Sequence, residues 1–361
     1  MISEKFLKEY QKEYARESAA RSYYVYRDTA HYFAICSWLY KENVKESLTT
    51  RLRSGSKRTF AGRGSGGDGD HGSAHNGKKA AEIANWLAHI RSCNPFLLGV
   101  RTAFEQGDME ILSNALYQLA AIEHATSGIN GYDHSGNMNR CVPSALAAGL
   151  TERIPLLLPQ ELGLCGNGFP PHVAMANLIM ALWYKREDFE SPSRKTAEKA
   201  LSKKTPLIYS TAIRYLLALL DGDTNEAGTR LEQHCRAVPG IRDASTARRI
   251  DKLFWYDAHA LYNLAFFVLG TEKALEIPVP EHDCFCSDLA EWQANRNFAP
   301  GKLFIEHPAP MELLNAILTS TPPATELIEM QNTGRKKKYT VDIESFKSKL
   351  IAAVISSTLQ P

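Results

Sequence analysis

The 361-residue sequence lacks several features that would assign it quickly to a functional class. No segment offers about 18 uninterrupted apolar residues, so we expect no membrane-spanning helix. The first residues, MISEKFLKEYQKEYARES, are charged and contain no apolar stretch typical of a secretory signal. The net charge is only +2, which provides no strong positive field for nucleic acid. These absences predict a soluble cytoplasmic protein.

Familiar catalytic motifs are absent as well. The chain contains neither the G-x-S-x-G elbow of hydrolases nor the H-E-x-x-H pattern of zinc proteases. Its cysteines are odd in number, and without a secretory signal we expect them to be reduced thiols, mostly small core residues. They are the seven residues Cys36, Cys93, Cys141, Cys165, Cys235, Cys284 and Cys286.

Helical periodicity dominates what is present. Apolar side chains recur at helical spacing within 173–183, 208–219 and 254–268, which places them along one stripe of a helix in each segment. Alternating, strand-like runs are scarce, and KKKYTVDI near the C-terminus is one short candidate. The pattern therefore predicts an all-α protein with little or no β-structure.

A short pattern occurs twice, in AFEQGDMEILSNAL (103–116) and ALLDGDTNEAGTRL (218–231). In each copy, the glycine is suited to end one helix and the aspartate to cap the next, which predicts a helical hairpin. Residues 184–188 are a degenerate third copy, with Glu187 in place of the glycine. The spacing does not follow the fixed 34-residue period of tetratricopeptide repeats. We therefore expect an irregular stack of antiparallel helical hairpins, similar to an α-solenoid or a helical bundle.

These patterns divide the chain into four parts. We predict an N-terminal helical cap at 1–52, a Gly/Ser-rich flexible loop at 53–78, and a main helical-hairpin domain at 79–320. The last part, 321–361, combines a basic linker, which contains the run Arg335 to Lys338, with a short amphipathic helix. Four charges in an exposed linker are usually solvated, so we assign no partner to this run.

The glycine-rich segment GRGSGGDGDHG (62–72) satisfies the pattern G-x-G-x-x-G. A dinucleotide site also needs a strand before the motif and a helix that starts within it. Here the preceding residues are basic, and we expect the next helix only from about Lys78. The segment also offers possible metal ligands, but ordering a flexible loop costs entropy at every residue, so we expect no cofactor or metal there. These ligands are Asp68, Asp70, His71 and His75.

His282, Cys284 and Cys286 form a second candidate metal site. A structural zinc site usually draws on two pairs of ligands, and the sequence offers no second pair. We expect both cysteines to lie at the start of the helix SDLAEW, with apolar contacts. Whether the three residues bind a metal stays open.

The loop 126–141 contains Tyr132-Asp133-His134-Ser135, which supplies an acid, a base and a hydroxyl. Because no nucleophile elbow accompanies them, we interpret these residues as part of a polar surface loop. A hydrolase with a site near Asp133 and His134 is kept as an alternative function.

Three segments resemble the immunity protein 49 family of bacterial polymorphic-toxin systems. They begin with MANLIMALWYKREDF, LIYSTAIRYLLALLDGD and LFWYDAHALYNLAFFVLG. The shared features are a leucine-rich helix that ends in Gly-Asp (216–223), a later helix of small and apolar residues with a glycine turn (258–270), and an extended Val/Pro segment (277–280). The resemblance implies a cytoplasmic antitoxin that binds a cognate toxin and occludes it without catalysis.

The resemblance therefore implies a protein toxin as the partner and no catalytic residue. From charge, hydropathy and the candidate ligands discussed above, we expect no nucleic acid, membrane, cofactor or metal. The resemblance does not identify the binding surface. Two acidic clusters, at 105–110 and 221–226, would suit a basic toxin, but they equally suit helix N-termini. A helical-repeat scaffold that binds an unrelated partner is the main alternative.

Overall fold

A computed structural model describes residues 4–19, 25–45, 70–242, 248–331 and 338–359 of the chain. Helices make up most of these residues, and the prediction of an all-α fold is confirmed. Two three-residue strands, β1 Leu327–Glu329 and β2 Tyr339–Val341, pair antiparallel with Ile328 opposite Thr340. β2 is the strand expected within KKKYTVDI.

The α-helices of the described residues are numbered in chain order. They are α1 Glu4–Ala19, α2 Thr29–Leu39, α3 Asp70–His89, α4 Phe96–Gln106, α5 Met109–Ala125, α6 Cys141–Ala147, α7 Ile154–Leu157, α8 Pro170–Tyr184, α9 Glu187–Leu201, α10 Leu207–Asp221, α11 Thr224–Ala237, α12 Tyr256–Leu269, α13 Thr271–Ala274, α14 Ser287–Asn295, α15 Leu313–Thr319 and α16 Ile343–Leu359.

Both Gly-Asp hairpins form as predicted. Gly107 adopts a left-handed conformation (φ 66°) after α4, and the Asp108 carboxylate accepts hydrogen bonds from the first backbone amides of α5. Gly222 (φ 68°) ends α10 in the same way, and Asp223 caps α11. Glycine adopts this conformation without steric cost, and the aspartate satisfies amides that the helix leaves unpaired.

The third hairpin also forms, between α8 and α9, but its predicted register is wrong. The left-handed residue is Lys185 (φ 51°), whose amide bonds to the carbonyl of Ala181. Glu187 is the first residue of α9 and does not replace a glycine. Arg186 stabilises the turn, because its guanidinium lies 2.6 Å from the carboxylate of Asp188 and over the ring of Phe189.

Gly228 lies inside α11, where glycine normally weakens a helix. A Cβ atom at this position would lie 2.4 Å from Cδ of Pro278, in the extended segment after α13. The glycine therefore allows this segment to pack directly against the helix backbone.

Replacing Gly228 with alanine should destabilise the protein by about 1–3 kcal/mol, because overpacking outweighs the gain in helix propensity. Gly77 in α3 provides the matched control, because a Cβ atom added there would have no neighbouring atom within 4 Å. Gly77→Ala should stabilise by about 0.5–1 kcal/mol. Urea unfolding of both variants measures the difference, and equal effects would contradict the close-packing explanation.

Buried apolar residues form two clusters. The larger one involves α1 and most helices from α4 to α14. The second joins α2, α3, α15 and α16, and includes the fully buried Tyr32 and Trp86 together with Phe346 and Leu350 of α16. The C-terminal helix is therefore a core element of 17 residues rather than a short appendage. Within the predicted N-terminal cap, α1 packs on the larger cluster and α2 on the second.

Helix α3 begins at Asp70, earlier than the predicted start near Lys78. Its glycines weaken a helix without preventing it, and Ile83 and Trp86 anchor it in the second cluster. Most of the motif at 62–72, including Asp68, lies outside the described residues, as does the basic run at 335–337. Among the described helices, none combines the length and apolarity needed to cross a bilayer.

Candidate functional site

A cavity of about 510 Å³ lies in the middle of the hairpin stack. Its size falls within the range of pockets that enclose small ligands, about 300–1,000 Å³. Helices α4, α5, α6, α8, α10, α11 and α12 contribute to its walls, which are largely aliphatic and aromatic. Its charged lining residues are Arg91, Glu123, Arg140, Arg248, Asp251 and Asp257.

One wall of the cavity carries a cluster of three charged residues. The buried carboxylate of Glu123, in α5, lies 3.1 Å from the guanidinium of Arg91 and 3.4 Å from that of Arg140. Both arginines are partly exposed. Two cations therefore compensate a single buried anion, which is the arrangement that a buried charge requires. Another acid, Asp251, is paired with Arg248 at 2.9 Å.

Asp257 differs from the other two acids. It lies in the first turn of α12, and its carboxylate has no hydrogen-bond or ion-pair partner within the part of the chain that is described. Burial raises its pKa to about 7, although the nearby Arg140 acts in the opposite direction. It is partly exposed and belongs to the lining of the cavity. The cavity therefore contains a carboxylate that titrates near neutral pH and is available to a ligand.

The two histidines of the lining are neutral. Nδ1 of His234 donates to the carbonyl of Ile208, and Nε2 accepts from the Trp255 indole. The ring of His172 packs edge-on against Phe169 and Tyr209. Burial lowers the pKa of each histidine to about 4, so neither adds positive charge at neutral pH.

The raised pKa of Asp257 predicts a dependence of stability on pH. Between its ordinary pKa near 4 and the folded value of about 7, the native state binds more protons than the unfolded state. Its contribution to stability is therefore full below pH 4 and is lost as the pH rises to 7. Asp257→Asn should thus gain stability relative to the wild type from pH 5 to pH 8. Urea unfolding at both pH values tests this, with the exposed Asp283→Asn as control; a parallel response of the two variants would contradict it.

Asp133 and its neighbours lie elsewhere, and the prediction that they form a surface loop is wrong. Residues 134–138 are buried in a 3₁₀ turn, His134–Asn139, which Asp133 caps. The Asp133 carboxylate accepts bonds from the amides of Ser135 (2.9 Å), Gly166 (2.7 Å) and Asn167 (2.8 Å). These bonds hold the loop 163–168 over the turn, which is why the polar residues become buried.

The remaining polar groups of this turn are also engaged. The Ser135 hydroxyl donates to the carbonyl of Asn167 (2.9 Å), and Nε2 of His134 lies 3.0 Å from the carbonyl of Gly163. A hydrolytic triad needs a hydroxyl that donates to a histidine. Ser135 and His134 instead each bond to backbone, so the arrangement joins two loops.

Cys165 is the member of this cluster that the sequence pattern did not reveal. Its thiol, a carboxylate oxygen of Asp133 and a ring nitrogen of His134 all lie within 4.8 Å of one another, and all three residues are buried. Asn177 fixes Cys165 by bonding to both its amide and its carbonyl. Burial raises the pKa of the thiol well above its ordinary value, so the thiol is protonated at neutral pH. The sequence signal for this loop is the glycines on either side of Cys165. Gly163 and Gly168 have positive φ, a conformation that glycine adopts easily and that lets the loop turn.

His282 and Cys284 lie side by side, and the backbone amide of Cys284 donates to Nδ1 of His282 (3.2 Å), whereas Cys286 points elsewhere. Cys286 directly precedes α14, where its thiol lies 3.9 Å from the sulfur of Met109. The thiol of Cys284 instead lies 3.8 Å from the carbonyl of Cys235. Within the described residues, these side chains do not form a three-donor group with His282. The expected helix start is confirmed, and all seven cysteines are buried free thiols.

The acidic clusters at the hairpin tips are largely engaged within the chain. Asp108 and Asp223 are helix caps. Glu105 pairs with Arg101, Asp221 with Arg194, Glu226 with Arg230, and Glu110 more distantly with Lys302. Their positions therefore follow from helix capping and local ion pairs.

No protein family, curated protein or solved structure was found to match this chain. The functional interpretation of the cavity and of the Asp133 cluster therefore depends on their geometry alone.

Proposed function

We propose that the chain is an immunity protein that neutralises a cognate secreted toxin by protein–protein binding, without catalysis of its own. The resemblance of 216–223, 258–270 and 277–280 to immunity protein 49 supports this proposal. The first two segments belong to α10 and α12, which also line the cavity. The cavity is therefore the surface that we assign to the toxin.

The unpaired carboxylate of Asp257 is the observation on which the proposal depends. Glu123 and Asp251 are already paired with arginines, whereas Asp257 is not. A basic side chain of the toxin would form the missing ion pair with Asp257. Contact with the apolar walls of the cavity would displace its hydration water. Arginine anchors inserted into desolvated pockets are typical of residues that dominate binding energy.

The alternative functions receive less support. A hydrolase at Asp133 and His134 would need a free acid and a free hydroxyl, but backbone groups occupy both. A helical scaffold for an unrelated partner would use the same cavity, so experiment must separate it from the immunity protein.

Co-expression with a toxin encoded by a neighbouring gene tests the proposal directly. We expect the chain to restore growth and to copurify with the toxin as a stable complex. A complex without growth rescue would favour the scaffold, and failure of both would contradict the immunity function.

A further inference from the structure

We propose that Asp133, His134 and Cys165 form a binding site for one zinc ion, which fastens the loop 163–168 to the turn 134–139. This inference stands apart from the proposed function, because none of the three residues lines the cavity. It starts from the convergence of three donor atoms within 4.8 Å in a buried place. Carboxylate oxygen, imidazole nitrogen and thiolate sulfur are all ligands that zinc accepts, and a zinc ion held by three protein ligands takes water in its fourth position.

His134 is held in the orientation that a ligand needs. A carbonyl only accepts hydrogen bonds, so Nε2 of His134 carries the proton that it donates to Gly163. Nδ1 then has a free lone pair, and it is buried without a hydrogen-bond partner. A buried nitrogen without a partner costs free energy, whereas a metal would satisfy it. Zinc-bound histidines usually donate their other N–H to a carbonyl or carboxylate in this way.

Asp133 and Cys165 are positioned just as firmly. Oδ2 of Asp133 accepts two backbone bonds, whereas Oδ1 accepts one and keeps a lone pair. Asn177 fixes the backbone of Cys165, and the buried thiol lies beside the other two donors. All three donors therefore stay together without the metal, and little entropy is lost when it binds.

Metal binding changes the protonation of one group. The Cys165 thiol loses its proton to solvent as the sulfur–zinc bond forms, while Nδ1 of His134 and the Asp133 carboxylate already have free electron pairs. One proton should therefore be released for each zinc bound. Titration calorimetry tests this, because the dependence of the binding enthalpy on the ionisation enthalpy of the buffer gives the number of protons released.

Cobalt(II) provides the decisive probe. Metal-free full-length protein should bind one Co²⁺ and show the near-ultraviolet charge-transfer band of a cobalt–thiolate bond. Cys165→Ala removes the sulfur while leaving the backbone bonds to Asn177, so it should fold and lose the band. Cys235→Ala, an equally buried thiol outside the cluster, should retain it. His134→Gln keeps a donor for Gly163 but lacks Nδ1, and we expect it to weaken binding at least tenfold.

Zinc should also raise the melting temperature of the wild type and of Cys235→Ala, but not that of Cys165→Ala. A wild type that binds no stoichiometric metal would overturn the proposal. So would a cobalt–thiolate band that persists in Cys165→Ala or disappears in Cys235→Ala, because the sulfur ligand would then lie elsewhere.

Discussion

Asp133→Ala should lower the free energy of unfolding by about 3–5 kcal/mol, the range expected when a buried polar network loses its central group. The carboxylate accepts three backbone hydrogen bonds while only 3% exposed. Alanine would leave these three amides without a partner in a place that water reaches poorly. The loop 163–168 would then lose its main attachment. Urea unfolding in the presence of a chelator measures the effect independently of any metal.

Asp108→Ala is the matched control for this prediction. Asp108 also caps a helical segment through its side chain, but it is only half-buried and bonds within its own turn. Loss of such a cap typically costs about 0.5–2 kcal/mol. If Asp133→Ala costs no more than Asp108→Ala, the bonds between the two loops contribute little, and our account of this region is wrong.

Charge reversal at Asp257 should reduce toxin affinity by about 100-fold or more. A lysine there would repel a basic side chain of the partner and would also face Arg140. Truncating one member of a desolvated charge pair already costs about 2–5 kcal/mol of binding free energy. Each 1.4 kcal/mol corresponds to a tenfold change in the dissociation constant. Affinity measurement with the purified toxin gives the loss directly, and growth rescue should fail in parallel.

Glu291→Lys makes the same change of charge on the exposed face of α14, away from the cavity lining. It should leave affinity within about threefold of the wild type, since a single distant charge is largely screened by salt. Circular dichroism and thermal melting verify that both variants fold. Equal losses for both variants would indicate a general effect of charge. Unchanged affinity for Asp257→Lys would place the toxin on another surface.

Local features of the fold were predictable from the sequence because they depend on neighbouring residues. The apolar stripes and the Gly-Asp pairs correctly indicated helices and two hairpin turns. The third hairpin was misplaced because its left-handed residue is a lysine, Lys185, at a position where glycine is the usual signal.

The candidate sites were harder to predict because they depend on distance in space. Cys165 meets Asp133 only after the loop 163–168 folds back, and no spacing rule connects them. The sequence predicts an exposed loop because polar residues usually are exposed, yet backbone amides of the loop 163–168 bond to Asp133, and its backbone carbonyls bond to His134 and Ser135. The cavity is assembled from seven helices, so no single segment carries its signature.

The second apolar cluster has a consequence for synthesis on the ribosome. It joins α2 and α3, in the first quarter of the chain, to α15 and α16, near the end. Translation produces α2 long before α16, so Tyr32 and Trp86 stay incompletely covered while most of the polypeptide is made. The hairpins from α4 to α12 bring together residues that are close in the sequence, so they can pack earlier. We therefore expect the nascent protein to assemble from its middle outward, with its two ends the last to join.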